Sequence, residues 1–240
     1  MTKWDKKAKN YSRYNEDKDS FEQRVFSALD SLQIDFTHKT LLDVGCGTGV
    51  YTLHLAKKCL HVEGLDSSTE MLEILKIDAK NLNLTNINTL HVDWSSFTCK
   101  DTYDFALSTM SPALSHDEDF VKFDNCAKTK IYFGWAGKRE TKIIEALFQA
   151  HGGIYTAPNG AKKVKDWLEK NNKFYQMIPF DEEKVRTRTF EESIENFMWH
   201  LDIRGIKPDK EIIKKVLNTF NDENGYITEI TINHMNLIVW

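Results

Sequence analysis

The fold is decided by residues 40–50, which read TLLDVGCGTGV. The apolar run at 40–44 predicts a strand, and the three glycines after it let the chain turn sharply at the strand's carboxyl end. Helical spacing resumes over residues 50–58. We therefore predict a strand, a tight turn and a helix, with a backbone that a ligand can approach closely at the turn.

An acidic residue follows this turn at an informative distance. Asp66 lies 17 residues after Gly49 and ends a second strand-like run over residues 61–66. A carboxylate about 20 residues beyond such a turn can bind the hydroxyls of a ribose. A dinucleotide-binding GxGxxG turn would need glycine at position 50, where the chain has Val50. The pattern therefore predicts a crevice for a nucleoside-containing ligand.

Strand and helix patterns alternate through the rest of the chain. Ser67 with Glu70 predicts a capping box that opens a helix. Such alternation indicates a mostly parallel sheet that is covered on both faces. We expect an α/β fold with a doubly wound seven-stranded sheet and an antiparallel edge. The further predicted strands are 88–92, 103–109, 130–135, 173–188 and 226–240, and the predicted helices are 20–32, 117–127, 139–150, 161–171, 191–203 and 208–220.

No repeat or low-complexity linker divides the sequence, so we predict a single domain over residues 1–240. Residues 1–37 are interpreted as an N-terminal helical cap and residues 38–135 as the core that binds the ligand. Residues 136–240 complete the sheet and carry helical insertions.

The glycine turn resembles the first motif of the class I S-adenosylmethionine-dependent methyltransferases. The family pattern Asp-x-Gly-x-Gly-x-Gly is matched from Asp43 to Gly49, and the resemblance covers residues 38–135 as a series of motifs. It implies a Rossmann-like fold, S-adenosylmethionine as cofactor and S-adenosylhomocysteine as product. It also implies methyl transfer to an acceptor, which we expect to be a small molecule.

The resemblance assigns expected roles to individual residues. Asp66 corresponds to the ribose-binding acid, Asp93 to the acid that faces the adenine amino group, and Trp94 to a neighbour of the adenine ring. Met71 is expected either to touch adenine or to pack in the core, and Tyr14 to belong to a lid over the cofactor. The remaining cofactor-binding residues expected are Asp43, Gly45, Cys46, Gly47, Gly49, Ser67 and Ser108.

The fourth strand ends at Ser111-Pro112-Ala113, where this family places residues beside the transferable methyl group. Methyltransferases that act on DNA adenine or on glutamine often carry Asn-Pro-Pro-Tyr there, so this chain departs from that subgroup. His116 follows closely and is the candidate catalytic base. The alternative is a surface histidine, with catalysis by positioning of the acceptor alone.

Composition limits the partners. A net charge of −4 argues against a nucleic-acid surface, and the absence of an apolar run of about 18 residues argues against a membrane span. The chain begins without the apolar core of a signal peptide, which predicts a cytoplasmic protein. Its four cysteines form no CxxC pair, so we expect buried free thiols and no metal site. The oligomeric state is left open.

Two other functions stay open at this point. One is an NAD-type oxidoreductase, which Val50 disfavours. The other is a non-catalytic module that keeps the fold in order to bind the cofactor. Neither the acceptor nor its reactive atom can be predicted from the sequence.

Overall fold

The computed structural model describes residues 2–100 and 102–240. Its strands are β1 (Thr40–Val44), β2 (His61–Asp66), β3 (Ile87–His91), β4 (Tyr103–Thr109), β5 (Ala127–Glu140), β6 (Gln176–Thr189) and β7 (Tyr226–Val239). They form one seven-stranded sheet in the order β3-β2-β1-β4-β5-β7-β6. The α/β fold predicted from the alternation is confirmed.

Two α-helices of the described chain precede β1, and the others lie between the strands. A short 3₁₀ helix also follows β3 at Trp94–Ser96. The α-helices are α1 (Lys3–Ala8), α2 (Phe21–Ser31), α3 (Thr52–Ala56), α4 (Thr69–Asn81), α5 (Asp117–Cys126), α6 (Lys142–Ala150), α7 (Gly160–Lys170), α8 (Phe190–Asp202) and α9 (Lys210–Leu217).

The parallel part of the sheet places the carboxyl ends of several strands at one edge. β1 pairs in parallel with β2 on one side and with β4 on the other, and β3 and β5 extend the sheet outwards in the same direction. The strand order reverses between β1 and β4. Ligands of doubly wound sheets bind in the crevice at such a switch point.

β7 runs against its neighbours. Lys130 and Trp240 exchange both backbone hydrogen bonds, at 2.8 and 3.0 Å, which is the antiparallel pattern between β5 and β7. Between β6 and β7, Glu182 contacts Asn233 and Thr187 contacts Thr228. Residue numbers therefore rise along β6 as they fall along β7, which is an antiparallel arrangement. The predicted antiparallel edge is confirmed.

The chain divides into two compact units. Unit 1 comprises Met1–Gly134, Gly160–Pro179 and Asn236–Trp240, and unit 2 comprises Trp135–Asn159 and Phe180–Met235. Strands β5, β6 and β7 each continue from one unit into the other. The single domain over residues 1–240 remains a prediction. The core of unit 1 includes Leu42, Val44, Phe120, Phe123, Tyr132 and Trp167, and that of unit 2 includes Ile143, Leu147, Ile194, Phe197, Leu201 and Ile213.

Several local predictions need correction. Ser68, not Ser67, is the N-cap of α4, and its hydroxyl accepts a hydrogen bond from the Met71 amide. β5 continues through residue 140, so α6 begins at Lys142 rather than at 139. The cap at residues 1–37 contains α1 and α2, but residues 11–20 between them are irregular. Within the described residues, no helix is long and apolar enough to cross a membrane.

Two glycines of the turn differ in what surrounds them. Both have positive φ, +83° at Gly49 and +55° at Gly47. A Cβ on Gly49 would lie 2.7 Å from Cγ of the buried Leu75 and 3.3 Å from Cγ of Leu53, whereas one on Gly47 would meet no described atom within 4 Å beyond its chain neighbours. Of these two glycines, Gly49 is therefore constrained by packing as well as by backbone conformation, and Gly47 by backbone conformation alone.

We predict that Gly49→Ala lowers the free energy of unfolding by about 2–4 kcal/mol, because left-handed strain adds to overpacking. The matched Gly47→Ala variant incurs only the strain, about 1–2 kcal/mol. Urea denaturation of the two ligand-free proteins measures both values. Equal losses would contradict the packing argument.

Candidate functional site

The glycine turn lies at the switch point of the sheet. The amides of Gly45 and Cys46 both donate to the carbonyl of Leu65, at 2.8 and 3.1 Å, which joins the turn after β1 to the end of β2. The side chain of Ser111 occupies the space that a Cβ of residue 45 would need. The loop after β4 therefore contacts the turn directly, and its position beside the transferable methyl group remains a prediction.

Asp66 joins the turn to the helix that follows. One carboxylate oxygen accepts from the Gly47 amide at 2.9 Å, and the other accepts from the Ser68 amide at 2.8 Å. Burial raises the pKa of this carboxyl, while the backbone hydrogen bonds oppose that shift. Because each carboxylate oxygen can accept a second bond, Asp66 can still bind a pair of ligand hydroxyls.

Asp43 lies beneath the turn with 1% of its surface exposed. Its Oδ2 accepts from the Thr52 hydroxyl at 2.6 Å, whereas its buried Oδ1 has no hydrogen-bond partner among the described residues. Burial, opposed by the Thr52 hydrogen bond and assisted by the charge of Asp66, raises the pKa of Asp43 to about 7. A nearby cation would favour the ionised form of this carboxyl.

The N-terminal segment is bound to the first turn of α4. Asp5 accepts from the Ser68 hydroxyl at 2.6 Å and from the Glu70 amide at 3.3 Å. The Ser68 bond is the main cause that lowers the pKa of Asp5 to about 2. A carboxylate at this position also interacts favourably with the positive end of the helix dipole.

The same segment continues past the glycine turn to α3. The Thr48 hydroxyl donates to the carbonyl of Ser12 at 2.6 Å, and Arg13 pairs with Asp78 of α4. We call residues 3–16 the N-terminal strap. It contacts α4, the glycine turn and α3 in succession, and its role as a lid over the cofactor remains a prediction.

Tyr14 contributes to the α3 end of the strap. Its hydroxyl accepts from Lys57 Nζ at 2.6 Å and donates to Glu16 at 2.8 Å, and its ring centroid lies 4.5 Å from that of His54. Burial raises the pKa of the Tyr14 hydroxyl. Tyr14 therefore anchors the strap to α3, and its contact with a cofactor remains a prediction.

Asp93 and Trp94 follow β3, at the same edge of the sheet. Asp93 caps the short 3₁₀ helix by accepting from the amide and the hydroxyl of Ser95, which lowers its pKa. Trp94 is 3% exposed, belongs to the core of unit 1 and stacks on Phe97. Asp93 thus presents a charge near the crevice, while the packing of Trp94 is that of a core residue.

The remaining expected contacts have structural partners. Ser108 is fully buried, and its hydroxyl donates to the carbonyl of Val44 at 3.0 Å, which links β4 to β1. Cys46 packs in a core cluster with Leu72 and Leu75, and burial raises the pKa of its thiol well above its ordinary value. Met71 is buried, with 2% of its surface exposed. The carbonyl oxygen of Ser67 lies 3.2 Å from His91 Nε2.

His116 is the N-cap residue of α5, and 77% of its side chain is exposed. Its Nδ1 lies 3.0 Å from the Ser115 hydroxyl and 3.4 Å from a carboxylate oxygen of Asp119. This environment resembles a solvated helix terminus more than a buried base. Its role as a catalytic base remains a prediction, and the positioning alternative gains support.

Four residues with structural roles in this region were not predicted from the sequence: Asp5, Thr48, Thr52 and Ser68. Asp5 lies 63 positions from its partner Ser68, and no periodicity relates such distant residues. Ser68 does have a local signal, because a serine three residues before the first buried helical residue is typical of an N-cap. The acid at position 70 favoured Ser67 instead.

Known proteins resemble this chain in sequence and in fold. Residues 41–128 match the family described as "Methyltransferase domain". The ubiquinone biosynthesis O-methyltransferase of Coxiella burnetii is 36% identical over 144 residues, which cover 60% of this chain and 58% of that enzyme. The matched segments span from 19% to 58% of the curated relatives' own lengths.

Two solved structures show the same architecture. The YcgJ protein of Bacillus subtilis has a TM-score of 0.58 at 14% identity, covering 90% of this chain and 97% of that one. Coclaurine N-methyltransferase bound to N-methylheliamine and SAH has a TM-score of 0.51 at 16% identity, covering 97% of this chain and 77% of that one. Residues 41–128 thus match a methyltransferase domain, and the strand order gives the chain the fold of the class I S-adenosylmethionine-dependent methyltransferases.

Proposed function

We propose that this protein binds S-adenosylmethionine at the glycine turn and transfers its methyl group to a small-molecule acceptor. The observation that carries the proposal is the pair of carboxylates at the switch point. Asp66 keeps acceptor capacity for two hydroxyls, and Asp43 leaves a buried oxygen without a partner among the described residues. Asp66 can accept from the ribose hydroxyls of a nucleoside, and the Asp43 carboxylate favours a ligand with a positive charge.

The described residues fit such a cofactor. The space above Gly47 is open where a side chain would otherwise project, so a ligand can approach that backbone. Asp66 would bind the ribose hydroxyls, and Asp93 would accept from the amino group of the base. When bound, the cofactor supplies an electrophilic methyl group on a sulfonium ion.

The contribution of this chain to catalysis is positioning. Methyl transfer from sulfur is an in-line displacement, which requires the acceptor atom about 3–3.5 Å from the methyl carbon. The loop that contains Ser111 contacts the glycine turn and can set the position of the acceptor. His116 is mainly exposed, so we infer that orientation contributes more than general-base catalysis.

The relatives support a small acceptor. The Coxiella burnetii relative is an O-methyltransferase of ubiquinone biosynthesis, and coclaurine N-methyltransferase was solved with N-methylheliamine and SAH. Because these names span oxygen and nitrogen acceptors, the acceptor atom is left undefined. The net charge of −4 favours a small acceptor over nucleic acid.

We predict that S-adenosylhomocysteine stabilises the protein against heat and that NAD does not. A ligand that binds only the folded state adds RT ln(1+[L]/Kd), about 2.7 kcal/mol at 100-fold excess over Kd. Asp66→Ala should weaken this binding at least ~10-fold, since 1.4 kcal/mol corresponds to each decade. Thermal shift and calorimetry measure the two effects.

The Asp66→Ala variant also removes the acceptor for two backbone amides, so its own melting temperature must be compared first. Asp19→Ala, an exposed carboxylate beyond the strap, is the matched control. Stabilisation by NAD alone would favour the oxidoreductase. Binding of S-adenosylhomocysteine without turnover across a broad acceptor screen would favour the non-catalytic module.

A second prediction follows from the pKa of about 7 at Asp43. Below that pH, a cation that requires the ionised carboxylate must displace a proton, so affinity for S-adenosylmethionine should fall by up to about tenfold per pH unit. Above that pH this dependence should vanish. Calorimetry across the range measures the slope.

Asp43→Asn removes the titration and keeps an acceptor for the Thr52 hydroxyl. It separates the effect of Asp43 from titration of the cofactor itself. If the natural protein and this variant show the same pH dependence, Asp43 is not coupled to binding.

The strap generates a third prediction. Asp5→Ala removes the bonds to Ser68 and Glu70, so α1 should leave α4 more readily. We expect bound S-adenosylhomocysteine to dissociate at least about tenfold faster, because each hydrogen bond to a charged group is worth about 1.5–3 kcal/mol and 1.4 kcal/mol corresponds to one decade. Stopped-flow measurement of dissociation, with Lys9→Ala as control, tests this. An unchanged dissociation rate would show that the strap does not cover the ligand.

A further inference from the structure

Unit 2 contains a cluster of charged side chains on one face of its strands. Side chains alternate along a strand, so Glu182, Arg186 and Arg188 of β6 share a face. Glu229 and Asn233 of β7 share it too, because Arg188 Nη1 lies 3.0 Å from Glu229 Oε2 and Asn233 Nδ2 lies 3.0 Å from Glu182 Oε2. We call these residues, together with Arg139 of β5, the unit 2 polar cluster.

The polar cluster has an excess of positive charge. It holds three arginines and two glutamates, and Lys184 lies 3.6 Å from Glu182 at its margin. Burial and then the neighbouring Arg188 lower the pKa of Arg186, and Arg139 is close enough to contribute. More than a third of the Arg186 surface is nevertheless exposed. Crowded guanidinium groups open to solvent attract an anion.

The floor of the polar cluster contains acceptors that the protein does not use. Glu229 and Asn233 are 5% and 3% exposed. Glu229 Oε1 and Asn233 Oδ1 have no hydrogen-bond partner within the described parts of the chain. The Asn233 amide cannot be turned over to repair this, since its nitrogen must face the Glu182 carboxylate. A buried polar atom left without a partner destabilises the folded protein.

One donor is also unused. Arg139 Nε is buried without a partner in the described chain, although its guanidinium lies 5.4 Å from the Trp135 ring centroid. The cluster therefore offers free donors on its arginine side and free acceptors on its Glu229 side. A ligand that satisfies both must present an anionic group and a hydrogen-bond donor.

We propose that the unit 2 polar cluster is a binding site for a small carboxylate that also carries a hydroxyl or amino group. The carboxylate would pair with Arg186 and Arg139, and the hydroxyl or amino group would donate to Glu229 and Asn233. This site does not depend on the methyl transfer proposed above. It defines a chemical class of ligand that a nucleoside site would not select.

Thermal shift of the natural protein, without S-adenosylmethionine, tests the site. The probes are L-malate and L-aspartate, which carry both groups, against succinate, which lacks the donor, and putrescine, which lacks the carboxylate. At about tenfold excess over Kd, malate or aspartate should raise the melting temperature by about 3–6 °C. Succinate should give a clearly smaller shift and putrescine none.

Two variants locate the binding. Arg186→Gln should abolish the shift by malate, and Glu229→Gln should reduce malate to the level of succinate. Arg24→Gln, an exposed arginine of α2, is the charge-matched control and should leave every shift unchanged.

The proposal is overturned by no shift from either malate or aspartate at about 20 mM, a concentration well above a millimolar Kd. It is also overturned by equal shifts from malate and succinate, or by a malate shift that Arg186→Gln leaves intact. The comparison of malate with succinate uses the natural chain, so the test survives even if a variant fails to fold. S-adenosylhomocysteine binding is measured separately and reports on the proposed function alone.

Discussion

The carboxylate of Asp66 holds the crevice together. It belongs to β2, accepts from Gly47 in the turn after β1, and accepts from Ser68 at the start of α4. Bonds from backbone amides to an ionised acceptor are among the stronger hydrogen bonds in proteins. Three elements are thereby fixed before any ligand arrives, and preorganisation of this kind lowers the cost of binding. The strap adds to it, because Asp5 binds the hydroxyl of that same Ser68.

Features of the site that depend on local spacing could be predicted from the sequence. The glycine turn and Asp66 lie within one strand-turn-helix-strand unit, where chain geometry leaves few arrangements. Features that depend on distant contacts could not. The bond between Asp5 and Ser68 joins residues 63 positions apart, and Trp94 is a core residue because Phe97 and Phe123 pack on it. An aromatic residue after a strand fits either role until its neighbours are known.

Apolar and polar residues alternate imperfectly along β7, and the structure of unit 2 explains why. Its residues at 227, 229, 231, 233 and 235 are all buried, yet the three in the middle are Glu229, Thr231 and Asn233. A strand predicted from alternating hydrophobicity has apolar residues at such positions. Positions that break an otherwise consistent sequence pattern are commonly functional or strained. The broken pattern was visible in the sequence, but its partner arginines on β6 and β5 were not.

Asp66 at the glycine turn and the unit 2 polar cluster differ in how their polar groups are bound. At the glycine turn, the Asp66 carboxylate is bound by backbone amides, so the geometry holds without a ligand and suits a cofactor shared by many enzymes. In the unit 2 polar cluster, side chains face one another and leave acceptors unused, at a cost of about 1–3 kcal/mol for each. A ligand that supplied the missing donors would recover that free energy, and an analogue without them would not. At the proposed carboxylate site, discrimination between ligands with and without a donor therefore depends on Glu229 and Asn233.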